Sequence, residues 1–303
     1  MRLQLLLGTC VVALSASASS AALVNRYTFD SDANDSVGTA HGVVMGNTAS
    51  FVGGQIVLDN AAGTGSGAFN NGAIPDTGAY VDFPNFTFSD AARAGTYGAV
   101  SVELWVTIKT NRDWSALFSA GISSGLEGNS AGGNDNFPYV QMVPRTGDGG
   151  AGNDFRVTTN GVAGPESWVD PPGDATDLQP GVEEHVIAVF DQSGGLPGTL
   201  TVYRNGVLYG ETVPIANNLD IAAMATAFPI TTAADVNVWL GRSQWPDALL
   251  DASVNELRIY SHALTAGEAL ANQGAGPNTV VPEPAGCVLA AAGLAGMAWR
   301  RRR

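Results

Sequence analysis

Cysteine is nearly absent: the 303-residue chain has two, Cys10 and Cys287, and both fall in terminal segments that read as removable. The central region therefore carries no disulfide, and a core of its size manages without one. Histidine is scarce as well, at three residues, which together with the missing central cysteines argues against a zinc site or a Cys/His nucleophile. Basic residues are few, fourteen against 28 acidic ones. Setting aside Arg2, Arg300 to Arg303 and Glu283 leaves nine against 27, a net charge of −18. Such a domain repels nucleic acid and an anionic membrane surface. Helical periodicity is also lacking, since no internal segment keeps it for long.

The first residues have a clear layout. Arg2 precedes an apolar stretch from Leu3 to Leu14, and small residues follow from Ser15 to Ala22. This predicts a secretory signal peptide over residues 1–22, with cleavage after Ala22 or after Ala18. Cys10 is no lipidation site, because it lies inside the apolar stretch rather than at its end. At the other end, Val281-Pro282-Glu283-Pro284 leads into fifteen mostly apolar residues, Ala285 to Trp299, and then four arginines. Fifteen residues are short for a bilayer span, yet the arginine cluster is a stop-transfer feature of the positive-inside kind.

Pro282, Glu283 and Pro284, with the apolar stretch and the basic end, resemble the PEP-CTERM sorting signal over residues 282–303. The resemblance implies processing by an exosortase at the surface of a Gram-negative bacterium, many of which make extracellular polysaccharide. Membrane contact would then pass only through this tail before processing. A plain single-span anchor is the alternative. Between the ends, residues 23–274 read as one domain and 275–281 as a linker containing Gly276-Pro277-Asn278-Thr279.

Inside the domain, strand-like runs alternate with turns rich in Gly, Asn and Asp. Val100, Val102, Leu104, Val106 and Ile108 alternate with Ser101, Glu103, Trp105, Thr107 and Lys109, which makes a two-faced strand. Val186 to Phe190 is a denser apolar run, and Leu200 to Arg204 leads into Asn205-Gly206, the strongest short hairpin signal. Val236, Val238 and Leu240 alternate again, and Leu257 with Ile259 forms a last strand. Many short strands of this kind predict an all-β fold of two antiparallel sheets, a jelly-roll sandwich. Residues 119–149 and 161–181 read as long loops. One short helix is expected near Ala263 to Ala271, with Thr265 and Glu268 as a capping box.

The series Tyr27-Thr28-Phe29-Asp30, Asp35-Ser36-Val37-Gly38, His41-Gly42, Tyr80-Val81-Asp82-Phe83, Tyr203-Arg204-Asn205-Gly206 and Asn255-Glu256-Leu257-Arg258-Ile259-Tyr260 keeps a fixed order. In that order it resembles the laminin G-like, concanavalin A-like jelly roll of bacterial surface proteins. Two departures stand out. Asn255 replaces the usual Asp, and Glu183-Glu184-His185 lacks the usual preceding Trp.

Glycoside hydrolases share this fold. Retaining hydrolysis needs two carboxylates about 5–5.5 Å apart, and no strand here carries acids alternating on one face. The chain is therefore expected to be no enzyme. For a cofactor, calcium is the expectation, since Asp30-Ser31-Asp32-Ala33-Asn34-Asp35 packs oxygen donors closely. The resemblance brings first and last strands together, so Asp30 and Asp35 are expected to gain Glu256 as a further ligand. The alternative is a turn whose side chains bond to its own backbone. For a sugar, an indole offers a flat apolar face. Trp114, Trp168 and Trp245 lie in loop-like sequence, and Trp105 and Trp239 lie on the less apolar side of strands. The expected function is a non-catalytic, secreted cell-surface module associated with carbohydrate or extracellular polysaccharide. An adhesive or structural matrix protein binding other proteins is the rival expectation.

Overall fold

The computed structural model describes residues 22–61, 78–122, 138–147, 153–161, 165–169, 177–225 and 235–281, all within one unit, Ala21–Pro282. The predicted signal peptide and Pro282, Glu283 and Pro284 lie outside the described residues.

In chain order the strands are β1 (Leu23–Tyr27), β2 (Val43–Gly46), β3 (Ala49–Phe51), β4 (Ile56–Leu58) and β5 (Ala79–Phe83). Helix α1 (Thr87–Ala94) follows, then β6 (Ala99–Thr110), β7 (Phe118–Gly121), β8 (Tyr139–Val143), β9 (Arg156–Asn160) and β10 (Ser167–Val169). The rest are β11 (Glu183–Asp191), β12 (Thr199–Arg204), β13 (Val207–Leu208), β14 (Val213–Pro214), β15 (Asn237–Leu240), β16 (Asp251–Tyr260) and helix α2 (Ala266–Ala275).

They form two antiparallel sheets, the expected sandwich. The first runs β13-β12-β11-β6-β16-β4-β3, with β1 on β16 and β14 on β12. The second runs β10-β9-β8-β7-β15-β5-β2. Alternation decides which side chains meet between them. Val102, Leu104, Val106, Ala188 and Ile259 from the first sheet bury against Val81, Phe83, Phe118, Val140, Met142 and Val238 from the second. Burying this apolar face supplies most of the driving force, at about 25 cal/mol per Å². Helix α1 closes one end, where Phe88 meets Phe118 at 6.1 Å and Phe190 at 5.3 Å between ring centroids.

The Asn205-Gly206 hairpin forms as read, both residues taking left-handed φ of 52° and 75° between β12 and β13. Helix α2 also forms, with its capping box: Glu268 N donates to Thr265 Oγ1, and Thr265 N donates to Glu268 Oε2. The two long loops need correction. Residues 119–149 contain the end of β7 and all of β8, and residues 161–181 contain β10. These strands turn Ser119, Gln141 and Trp168 away from the core, so their polar composition hid them.

Candidate functional site

The outward face of the second sheet carries one cross-strand row. Register places Trp168 opposite Thr158, Thr158 opposite Gln141, Gln141 opposite Ser119, Ser119 opposite Trp239, and Trp239 opposite Asp82. Above one end of this row lies a pocket of about 330 Å³. Tyr139, Gln141 and Val143 of β8 and Thr158 of β9 form its sheet side, while Trp114, Glu166, Trp245, Pro246 and Asp247 arrive from connecting segments.

The aromatic side chains are held in place. Tyr139 and Trp245 meet edge to face, with centroids 6.3 Å apart and planes at 82°. Tyr139 also donates its hydroxyl to Glu166. Trp114 has a left-handed φ of 62°, an uncommon conformation for a bulky residue, and its N–H donates to Arg145 O at 2.9 Å. Gly147 permits this packing, because a Cβ there would lie 2.9 Å from the Trp114 Nε1. The Arg156 guanidinium stacks on both neighbouring indoles, 5.5 Å from the Trp114 centroid and 5.2 Å from that of Trp168.

Asp247 is positioned by a buried network. Ser243 Oγ lies 2.9 Å from Asp247 Oδ2 and 3.0 Å from Gln141 Oε1, and it accepts the Trp245 N–H at 3.0 Å. Gln244 N donates to Gln141 Oε1 at 3.1 Å. Burial pushes the Asp247 carboxyl up to about 6, against the lowering effect of its bond with Ser243.

Of the five tryptophans singled out in the sequence, Trp114 and Trp245 line this pocket, and Trp168 stands beside it, 42% exposed on the edge strand β10. The other two are corrections. Trp239 is 1% exposed; its Nε1 donates to Asp82 Oδ1 at 2.9 Å, and Arg242 covers its ring at 4.1 Å. Trp105 is 2% exposed and sits on the other sheet, stacked on His185 at 4.4 Å and on Arg258 at 4.4 Å. Neither presents an open indole face, because polar side chains cover both. Sequence reading missed Tyr139, Gln141, Thr158 and Glu166. The alternation of Tyr139, Gln141 and Val143 around Val140 and Met142 was the available signal.

The calcium expectation meets a different geometry. Asp35 accepts five N–H groups, from Asn25 Nδ2, Arg26 N, Val37 N, Gly38 N and Ala40 N, at 2.7–3.3 Å. Burial opposes ionisation of Asp35, but these donors hold its carboxyl below the usual range. Glu256 is fully buried, with Arg26 Nε and Arg258 Nε each 2.6 Å from its Oε1. Burial opposes its ionisation too, and the two guanidinium groups outweigh it. As expected β1 pairs with β16, but Arg26 stands between the two acids and bonds to both. Asp30 is exposed and accepts the Thr28 hydroxyl at 2.9 Å. Among the described residues no three of His, Cys, Asp and Glu cluster to hold a metal. The lone pairs calcium needs are spent on N–H donors, so Asp35 and Glu256 do not fit as its ligands.

A second buried polar cluster lies under α2. Glu103 accepts from Tyr260 at 2.7 Å and from Asn272 at 2.9 Å, and lies 2.8 Å from His185 Nε2. Arg258 completes it and donates to Thr279 O at 2.9 Å, which fastens the exit of the domain to its sheet. Glu103, Tyr260, Asn272 and Arg258 satisfy one another in this buried network, while His185 Nδ1 is buried with no hydrogen-bond partner.

The two face-packed antiparallel sheets make a jelly-roll sandwich. The model of the concanavalin A-like lectin/glucanases superfamily, in its laminin G form, matches residues 75–269, and the chain belongs to that family. Comparison with curated proteins gives no match. Among solved structures, domain 4 of AbnA is similar in fold, with a TM-score of 0.54 at 20% identity over 83% of this chain and 98% of that one. AbnA is a GH43 extracellular arabinanase from Geobacillus stearothermophilus, solved there with arabinotriose. The binding domain of botulinum neurotoxin DC, in complex with SialylT, gives a TM-score of 0.50 at 12% identity. That match covers 84% of this chain and about half, 51%, of the toxin chain.

Proposed function

We propose that the domain is a non-catalytic carbohydrate-binding module, exported and displayed at the cell surface, and that the pocket between Trp114, Tyr139 and Trp245 receives the sugar. The carrying observation is the pocket itself: three aromatic side chains stand around polar groups from Gln141, Thr158, Glu166 and Asp247. A sugar ring packs its C–H face on an indole while its hydroxyls bond to such groups. The family includes lectins, and AbnA domain 4, solved with arabinotriose, has a similar fold. Signal peptide and PEP-CTERM tail, read from the sequence, are consistent with a protein that works on extracellular polysaccharide after exosortase processing.

One observation favours a second reading, hydrolysis. Glu166 and Asp247 reach one pocket from different segments, and burial raises Asp247 to about 6. Two acids in unlike environments are what general acid catalysis uses. Glu166, however, is tied to the Tyr139 hydroxyl, and Asp247 to Ser243. The binding reading is tested on a glycan array with the purified domain. Retention of an oligosaccharide without new reducing ends supports it; release of reducing ends at a rate abolished by Asp247→Asn overturns it in favour of a hydrolase.

A further inference from the structure

The charges of the pocket and the aromatic faces around them point to a particular kind of sugar. Among the pocket-lining residues, Glu166 and Asp247 are charged and no cationic side chain appears. Arg156, nearby, spends its guanidinium on the faces of Trp114 and Trp168. Across residues 122–182 the sequence places eight acidic residues (Glu127, Asp135, Asp148, Asp154, Glu166, Asp170, Asp174, Asp177) against two basic ones, Arg145 and Arg156. Arg145 is itself paired with Asp113 and Asp177.

The hydrogen bonds around Ser243 show how Asp247 is held. The Gln244 N–H bonds to Gln141 Oε1, which fixes the amide with its oxygen toward Ser243. The Trp245 N–H fills an acceptor position of the Ser243 hydroxyl. With Gln141 Oε1 already served by Gln244, the Ser243 proton goes to Asp247 Oδ2 at 2.9 Å. The other carboxylate oxygen of Asp247 has no hydrogen bond among the described residues, which leaves it for a donor brought by a ligand. Aromatic faces beside it add cation–π attraction for that same donor.

We propose that the pocket selects sugars carrying a protonated amino group, with Asp247 and Glu166 as counter-ions and Trp114, Tyr139 and Trp245 as the surrounding faces. This rests on the pocket being a sugar site. An N-acetylated sugar leaves the half-buried Asp247 carboxylate without its cation, and a uronate brings a like charge to it; both bind more weakly.

The test is calorimetric titration of the purified domain near neutral pH with three oligosaccharides of equal length: glucosamine, N-acetylglucosamine and a uronic acid. The expected result is that the glucosamine oligomer binds about tenfold more tightly than the N-acetylated one and that the uronate binds least. Asp247→Asn and Glu166→Gln, both close in shape, should shrink that ratio toward one while circular dichroism stays unchanged. Trp245→Ala should lose both ligands. Equal or tighter binding of the N-acetylated or uronate oligomer, lost in Trp245→Ala, overturns the amino-sugar inference and leaves the sugar-binding reading standing. Glucosamine binding that survives Trp245→Ala is bulk attraction to an acidic protein and overturns the inference as well. No binding of any of the three sinks both it and the pocket's assignment to these sugars.

Discussion

Tyr139 and Trp245 meet edge to face with their centroids 6.3 Å apart, one from the first residue of strand β8 and one from the segment after β15. The contact ties the segment after β15 to the sheet and shapes one side of the pocket. Replacing Trp245 by Ala should therefore weaken oligosaccharide binding at least tenfold, about 1.4 kcal/mol. Trp245 is only half-buried, so stability should fall by no more than about 1–2 kcal/mol. Trp114→Ala should act likewise, and Trp168→Ala, whose ring faces Arg156, should weaken binding by less. Titration with the array's best oligosaccharide, beside thermal melts, checks the three variants.

Stability should depend on pH in a defined way. Burial raises Asp247 to about 6 and Asp235 to about 7, while an unfolded Asp titrates near 4. The folded state therefore holds extra protons across that interval, and stability falls as pH rises from about 4 to 7, then levels off. Asp35 and Glu256 are shifted downward, so their contribution is present above about pH 4 and disappears as pH falls through their folded values. The melting temperature should peak in mildly acid solution. Asp247→Asn should reduce the decline between pH 5 and 7; an unchanged profile in that variant would remove Asp247 from the account.

Much of the fold is written in local pattern. The alternation of Val102, Leu104 and Val106 and the Asn205-Gly206 turn needed no partner to be recognised, and Thr265 with Glu268 is a self-contained cap. Helix α1 was invisible for the opposite reason. Its start is capped by Asp235, which accepts Ser89 N at 2.8 Å and Ser89 Oγ at 2.5 Å from 146 residues away. The pocket follows the same rule. Its tryptophans were legible as unusual residues in loop-like sequence, but Glu166 and Asp247 lie far apart in the chain, and only the sheet order β9-β8-β7-β15 brings them into one space. Trp105 and Trp239 misled because alternation shows which residues leave the core, not whether an arginine then covers them.

The salt-bridged Glu256 ties the first strand to the last. Glu256→Gln would leave Arg26 without its counter-ion and Arg258, fully buried, with Glu103 alone at 3.4 Å. Breaking a buried pair of this type costs about 3–5 kcal/mol. Urea unfolding should show a loss in that range with an unchanged slope, and a loss under about 1 kcal/mol would contradict the assigned role.

Calcium should not act through these acids. With Asp35 spent on five N–H donors and Glu256 on two arginines, Asp35→Asn should respond to calcium and to chelator in thermal melts as the wild type does. A ligand at a hundredfold excess over Kd would raise stability by about 2.7 kcal/mol. A rise of that size, removed by Asp35→Asn, would reinstate the site.

Export is tested separately. The mature protein is expected to lack its first 18–22 residues, and deleting residues 281–303 should turn a cell-associated protein into a freely secreted one. Mass spectrometry of the N-terminus and fractionation of the truncated strain check both.

The central claim, that the sugar sits in the Trp114–Trp245 pocket, is tested most directly by following the indole N–H signals by NMR during titration with a bound oligosaccharide. The account predicts that the Trp114 and Trp245 signals shift together and saturate, while those of the buried Trp105 and Trp239 stay in place. Saturating binding that leaves Trp114 and Trp245 unmoved would contradict it.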